Sequence, residues 1–161
     1  MITTKEQLLD EMCATLGGRA SEETIFGKIS TGAVNDLEKV TKQAYAMVTY
    51  FGMSEKVGNL SFYDSTGQSE YSFGKPYSED TSKIIDGEVK DLVSASYERA
   101  KTVLRDNREG LNRLANLLLE REVIFSEDLE AIFGKRKGIT PPELERGVTE
   151  ITIQPEGKII E

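Results

Sequence analysis

From Ser78 onward, apolar side chains return at helical spacing for nearly two dozen residues: Ile84, Ile85, Val89, Leu92, Val93, Tyr97, Ala100, Val103 and Leu104. A helix of that length spans about 35–40 Å at 1.5 Å per residue. A stripe this long has to be covered, and amphipathic helices elsewhere in the chain can cover it. Gly87 inside it weakens the helix by roughly 1 kcal/mol relative to alanine.

The rest of the chain supplies such helices. Leu8, Leu9, Met12, Cys13 and Leu16 recur at helical period, and Thr3 and Glu6 have the spacing of a capping box. Gly17 and Gly18 either stop that helix or admit another backbone, and residues 19–26 form a short helical piece with Ser21 as candidate N-cap. After "GKISTGAVND", Leu37, Val40, Ala44, Met47, Val48 and Phe51 make a further stripe, with Asn35 and Glu38 at capping spacing and Gly52 as terminator. A helix over 107–122 carries Leu111, Leu114, Ala115, Leu117, Leu118 and Leu119. A last one starts at Ser126, contains Leu129, Ile132 and Phe133, and ends at Gly134. The expected fold is all-α: an antiparallel helical assembly.

Two stretches fall outside this pattern. In 57–77, Leu60 and Phe62, then Tyr71 and Phe73, alternate with polar neighbours, which predicts a small irregular or β-hairpin insertion. Three of the four prolines lie beyond residue 138. Residues 1–138 are therefore read as the folded unit and 139–161 as a flexible tail.

The chain of 161 residues has no histidine. Within these residues that excludes Ser-His-Asp and Cys-His catalysis, the HExxH zinc motif and most zinc sites. The single Cys13 excludes an internal disulfide and fits packing on the first apolar stripe better than reactivity. No apolar run approaches the ~18–20 residues that span a bilayer, and the N-terminus lacks a signal-peptide pattern. A net charge of −8 argues against a nucleic-acid partner. Gly27-Lys28, Gly74-Lys75, Gly134-Lys135 and Gly157-Lys158 are each followed by the wrong residue for a P-loop, so no nucleotide site is encoded.

The sharpest local feature is Asp36, directly after "STGAVN". A carboxylate at a helix start ordinarily complements the helix dipole and caps free amides. It can also complete a zinc site, but one aspartate makes no site without partners from elsewhere. Asn35 reads as a cap before it reads as a hydrogen-bond partner of a metal ligand. Gly32 reads as backbone geometry. Glu22 and Glu23 read as a solvated helix face or a structural ion pair. Lys135, Arg136 and Lys137 suit a helix C-terminus.

Four blocks, in this order, carry a resemblance: "LGGRASEE" at 16–23, "FGKISTGAVNDLEKVT" at 26–41, "AMVTYFGMSEKVG" at 46–58 and "LLEREVIFSEDLE" at 118–130. Together they resemble the peptidase domain of FtsH-type ATP-dependent zinc metalloproteases, over roughly residues 6–137. "SFYDSTGQSEYSF" and "FGKRK" look most like versions from the Bacteroidetes group. The resemblance implies membrane-anchored, cytoplasm-facing hexamers. In these an ATPase module unfolds polypeptide substrates and feeds them to a helical protease domain. It also implies zinc held by two histidines of an HExxH helix and by the aspartate of the "STGxxND" segment, here Asp36. The glutamate of HExxH would be the general base.

The chain departs from that pattern where it matters for chemistry. The HExxH helix, the ATPase module and a membrane segment are not among these 161 residues. The expectation is a distal peptidase fragment of an enzyme of protein quality control, with Asp36 as metal ligand and no catalytic or cofactor-binding residue of its own. Zinc binding would then need the upstream histidines, and ATP would be used by another module. The expected location is cytoplasmic, at the inner-membrane face for the intact protein. The alternative is a stand-alone, non-catalytic interaction module derived from such a domain, which Met1 and the unfamiliar tail modestly favour.

Overall fold

The structure, a computed structural model, describes residues 2–62 and 76–135. Six α-helices follow one another: α1 (Lys5–Thr15), α2 (Gly17–Phe26), α3 (Val34–Thr49), α4 (Glu79–Asp106), α5 (Arg108–Arg121) and α6 (Ser126–Phe133). A 3-10 turn at Thr31–Ala33 leads directly into α3. The architecture is all-α and mostly antiparallel. No helix among the described residues is long and apolar enough to cross a membrane.

The long stripe is the spine of the fold. α4 runs 28 residues and packs against α1, α2 and α3. Met12 and Leu16, then Val40, Ala44, Met47 and Val48 of α3, meet Ile85 and Val89 of α4 in one core. All but Leu16 and Val89 are 0% exposed. Ala20 of α2 is completely buried and Ala100 of α4 almost so, and small residues of this kind let two helices approach closely. α5 and α6 stand apart from that core. They pack on each other. α5 meets α4 and, through Arg108, whose guanidinium donates to the Thr24 carbonyl at 3.3 Å, also α2. No residue of either is buried. The leucine stripe of α5 is thus only half covered, and Leu119 is 83% exposed.

Several boundaries differ from the sequence expectation. The cap of α1 is Thr4, whose hydroxyl accepts from the Gln7 amide while the Gln7 side chain accepts from the Thr4 amide. The box is one residue later than Thr3 and Glu6, because either pair satisfies the spacing. Leu16 ends α1 and starts α2 at once, so Gly17, Gly18 and Ser21 all lie within α2. Nothing crowds either glycine. Ser78 caps α4 as expected, accepting from the Thr81 amide at 3.2 Å. Ser126 is the first residue of α6 and not its cap; the Asp128 carboxylate takes up the free Phe125 amide at 3.0 Å. Gly52, at φ +63, turns the chain sharply after α3, a conformation that favours glycine.

No strand forms among the described residues of 57–77. The Leu60 amide donates to the Gly58 carbonyl and the Phe62 amide to the Thr49 carbonyl, so this stretch lies against the end of α3 and builds no ladder. Phe62 and Tyr77 meet edge-on, with ring centroids 5.2 Å apart, and both pack against the core. Tyr71, Phe73 and the tail at 139–161 lie outside the described residues.

The same corner carries a charged clamp. Lys56 Nζ lies 2.6 Å from Glu88 Oε1, and Ser54 Oγ donates to Glu88 Oε2 at 2.7 Å. Both donors, Lys56 foremost, hold the Glu88 carboxyl below the usual range. The folded state therefore takes up this proton less readily than the unfolded chain. The stabilisation is complete above the unfolded carboxylate value of ~4.3 and is lost as pH falls through the folded value. Glu88→Gln is expected to flatten the loss of urea stability between about pH 5 and pH 3. Parallel pH profiles for the two proteins would remove Glu88 from the acid response.

Candidate functional site

The elements that set up Asp36 are short and local. Ser30, in extended backbone, caps the 3-10 turn through its hydroxyl, which accepts from the Gly32 amide at 3.2 Å. A Cβ on Gly32 would sit 3.3 Å from that hydroxyl, so a small residue suits the close approach. Ala33 is buried beneath the turn, and α3 begins at the next residue. Asn35 is exposed inside the first turn of α3 and makes no capping bond among the described residues; the N-cap position of α3 falls on Ala33, which has no side-chain cap, and Ser30 caps the 3-10 turn before it.

Asp36 is the acidic residue of that first turn and is half-buried. Its carboxylate has no hydrogen bond or ion pair among the described residues. The amide-capping use expected for an aspartate here is therefore not made. What remains of the ordinary reading is complementarity to the helix dipole. A carboxylate held at a helix start with open lone pairs has the chemistry of one oxygen donor in a metal site. It is only one: no group of three or more potential ligand side chains occurs among the described residues. One carboxylate is a single donor and not a ligand set, so among the described residues Asp36 has no companions with which to hold a metal ion.

Around this turn, the two glutamates of the "EE" pair separate in role. Glu23 accepts a short hydrogen bond from Tyr97 and lies 3.5 Å from Lys101 Nζ, which joins α2 to α4; the structural ion-pair reading holds for it. Lys101 also sits 5.0 Å from the Tyr97 ring centroid. Glu22 points the other way. Its Oε2 accepts from the Ser30 amide at 2.8 Å and its Oε1 from the Ser30 hydroxyl at 2.9 Å. These donors, the amide first, hold its carboxyl below the usual range. The sequence reading missed this contact. The signal available was Ser30 itself, a capping serine whose hydroxyl proton needs an acceptor, but nothing local says which carboxylate provides it.

Two other singled-out positions carry no chemistry of their own. Burial pushes the Cys13 thiol up, which leaves less thiolate and agrees with a packing role. Lys135 follows the end of α6, and Arg136 and Lys137 lie outside the described residues.

Comparison with known proteins adds a consistent picture. The sequence pattern of peptidase family M41 matches residues 1–132. The ATP-dependent zinc metalloprotease FtsH of Parabacteroides distasonis is 66% identical over 139 residues, covering 86% of this chain and 20% of that protein. The protein of the same name from Karelsulcia muelleri is 50% identical over 131 residues, 81% of this chain and 21% of its own length. A mitochondrial ATP-dependent zinc metalloprotease of Arabidopsis thaliana, FTSH 3, is 51% identical over 136 residues, 84% of this chain and 17% of its own. The chain thus spans about a fifth of the length of these curated relatives.

Proposed function

Because the chain belongs to peptidase family M41, we propose that it is the distal part of the peptidase domain of an ATP-dependent zinc metalloendopeptidase subunit. Asp36 would supply the carboxylate ligand of the zinc. The observation that carries this reading is the Asp36 carboxylate, which has no hydrogen bond or ion pair among the described residues and follows a capped 3-10 turn at the start of α3. The remaining ligands, two histidines of an HExxH helix, and its glutamate base lie outside these residues. Bound zinc would polarise the scissile carbonyl and lower the pKa of a water toward ~7. This chain's own part is to hold one anionic oxygen in place and to build the scaffold behind it. Substrates would be membrane and cytoplasmic polypeptides, delivered by an ATPase module at the cytoplasmic face of the inner membrane. α4 and α5 would support the site and meet neighbouring subunits of a hexamer. The exposed Leu119, Val123 and Phe125 suit such contacts.

A purified chain of these 161 residues is expected to show no zinc-dependent cleavage of casein, while the intact subunit cleaves it. Cleavage by the chain alone would overturn the partial-site reading.

One observation favours the second reading, a non-catalytic interaction module. The core of α1, α3 and α4 closes on itself, with Met12, Met47 and Ile85 fully buried. Light scattering of the chain mixed with an intact homologous enzyme separates the two. A monomer that ignores the enzyme speaks against the module.

A further inference from the structure

We propose that Arg108 couples the α5–α6 hairpin to the loop that leads to Asp36, so that a neighbouring subunit seated on the hairpin tightens the hold on zinc. The proposal rests on the readings of Asp36 as a zinc ligand and of α5 as a subunit contact, and deepens them.

The hairpin is held to the body of the fold loosely. No residue of α5 or α6 is buried. Its close packing is internal: Phe133 lies so near Gly110 that an added Cβ there would sit 2.5 Å from the ring. Asn107 alone separates α4 from α5, with φ −109 and ψ 24, outside helical geometry. A unit with few buried contacts opens at low cost. A non-helical residue at its base gives that opening a hinge.

One bond ties the hairpin to the helix that precedes the site. Arg108, the first residue of α5, donates from its guanidinium to the Thr24 carbonyl at 3.3 Å. Among the described residues no other hydrogen bond or ion pair joins α5 or α6 to α2 or to the loop after it. Thr24 lies in the last turn of α2, where carbonyls have no partner within the helix. A cation placed there also meets the negative end of the helix dipole.

The loop beyond that turn takes its course from its two ends. Gly27 redirects the chain at φ +64, and Phe26, Lys28 and Ile29 are exposed. At the far end the capped 3-10 turn enters α3, and Asp36 follows in the first turn. With Arg108 bonded, the last turn of α2 is fixed and the loop leaves it in one direction. With the hairpin swung away about Asn107, the Thr24 carbonyl is released and the loop is steered from one end only. A neighbour that holds the hairpin against α2 favours the bonded state. Zinc bound through Asp36 favours the same state, so the two effects are reciprocal.

The test is zinc retention by the intact zinc-loaded enzyme in competition with a fluorescent chelator, once as the assembled hexamer and once after dissociation. The assembled parent is expected to hold zinc at least about 5-fold more tightly than its dissociated subunits. Arg108→Ala is expected to assemble normally and to lose that difference, holding zinc as the dissociated parent does. Arg108→Lys, which keeps a cation and a donor, is expected to recover part of it and keeps the test decisive should the alanine variant not fold. An assembled Arg108→Ala enzyme that holds zinc like the assembled parent overturns the proposal. Equal weakening in both states also overturns it, because Arg108 would then support the fold without passing on the contact. The same follows if the parent shows no difference between the states, or if Arg108→Ala fails to assemble, since Arg108 would then belong to the contact itself. Two controls separate these results from failure of the underlying readings. If Asp36→Ala holds zinc like the parent, the ligand reading falls, and if Leu119→Asp leaves the assembly intact, the contact reading falls; either takes the proposal with it.

Discussion

Asp36→Ala in the intact subunit is expected to strip zinc to well below one ion per chain and to lower proteolysis by more than 100-fold. The bound comes from the ~10–100-fold that changes one shell further out already cost. Folding should hardly notice. The carboxylate has no hydrogen bond or ion pair among the described residues. Its removal forfeits only an interaction with the helix dipole, about 0.3–1 kcal/mol. That separation makes the result interpretable. Metal analysis, casein cleavage and a melting curve on the same preparation are needed together. Full zinc content with full cleavage would refute the assignment, and loss of both with a collapsed melting curve would mean that Asp36 holds the fold.

Met47→Ala should produce the largest change in stability. Met47 is 0% exposed at the centre of the cluster, with Val40, Ala44 and Val48 on its own helix and Ile85 of α4 in the same cluster. Truncating a buried methionine to alanine costs about 2–5 kcal/mol, depending on how far the site collapses. A domain of this size has only ~5–15 kcal/mol in total. A large downward shift in the urea midpoint of the 161-residue chain is therefore expected. Leu119→Ala is the control: it removes a side chain that is 83% exposed, and surface changes of this kind stay within about 0.5 kcal/mol. Equal shifts for the two variants would mean that the core lies elsewhere, with α5 carrying stability that its exposure does not suggest.

Helices were legible in this sequence because their signal is repeated. Val40, Ala44, Met47 and Val48 on α3 and Ile85 and Val89 on α4 were all placed on apolar stripes, and all are buried. Caps were less legible, because serine, threonine, asparagine and aspartate occur close together before a helix and several pairs meet the same spacing. Thr3 competes with Thr4 for α1, where the backbone selects Thr4, and Asn35 is passed over at α3, whose N-cap position falls on Ala33 with no side-chain cap. Phe62 shows a different limit. Its alternation with polar neighbours looked like a strand, but its amide donates to the Thr49 carbonyl at the end of a helix, and a two-stranded hairpin has little stability without such packing. The α5 stripe shows the converse. A periodic row of leucines states that one face is apolar, not that this chain covers it.

At the site, the sequence by itself determined which residue could matter. The absence of histidine removed a complete zinc centre from these residues, and the "STGAVND" segment singled out Asp36. Composition and order suffice for that, since ligand chemistry depends on residue type and the resemblance on contiguous blocks. Only the tertiary structure decided what Asp36 does not do, which is cap its own helix, and what Glu22 does, which is receive both donors of Ser30. Glu22 and Ser30 are eight residues apart with a glycine between them. Their meeting depends on the turn with which the loop leaves α2 at Gly27, which sits in the left-handed region at φ +64.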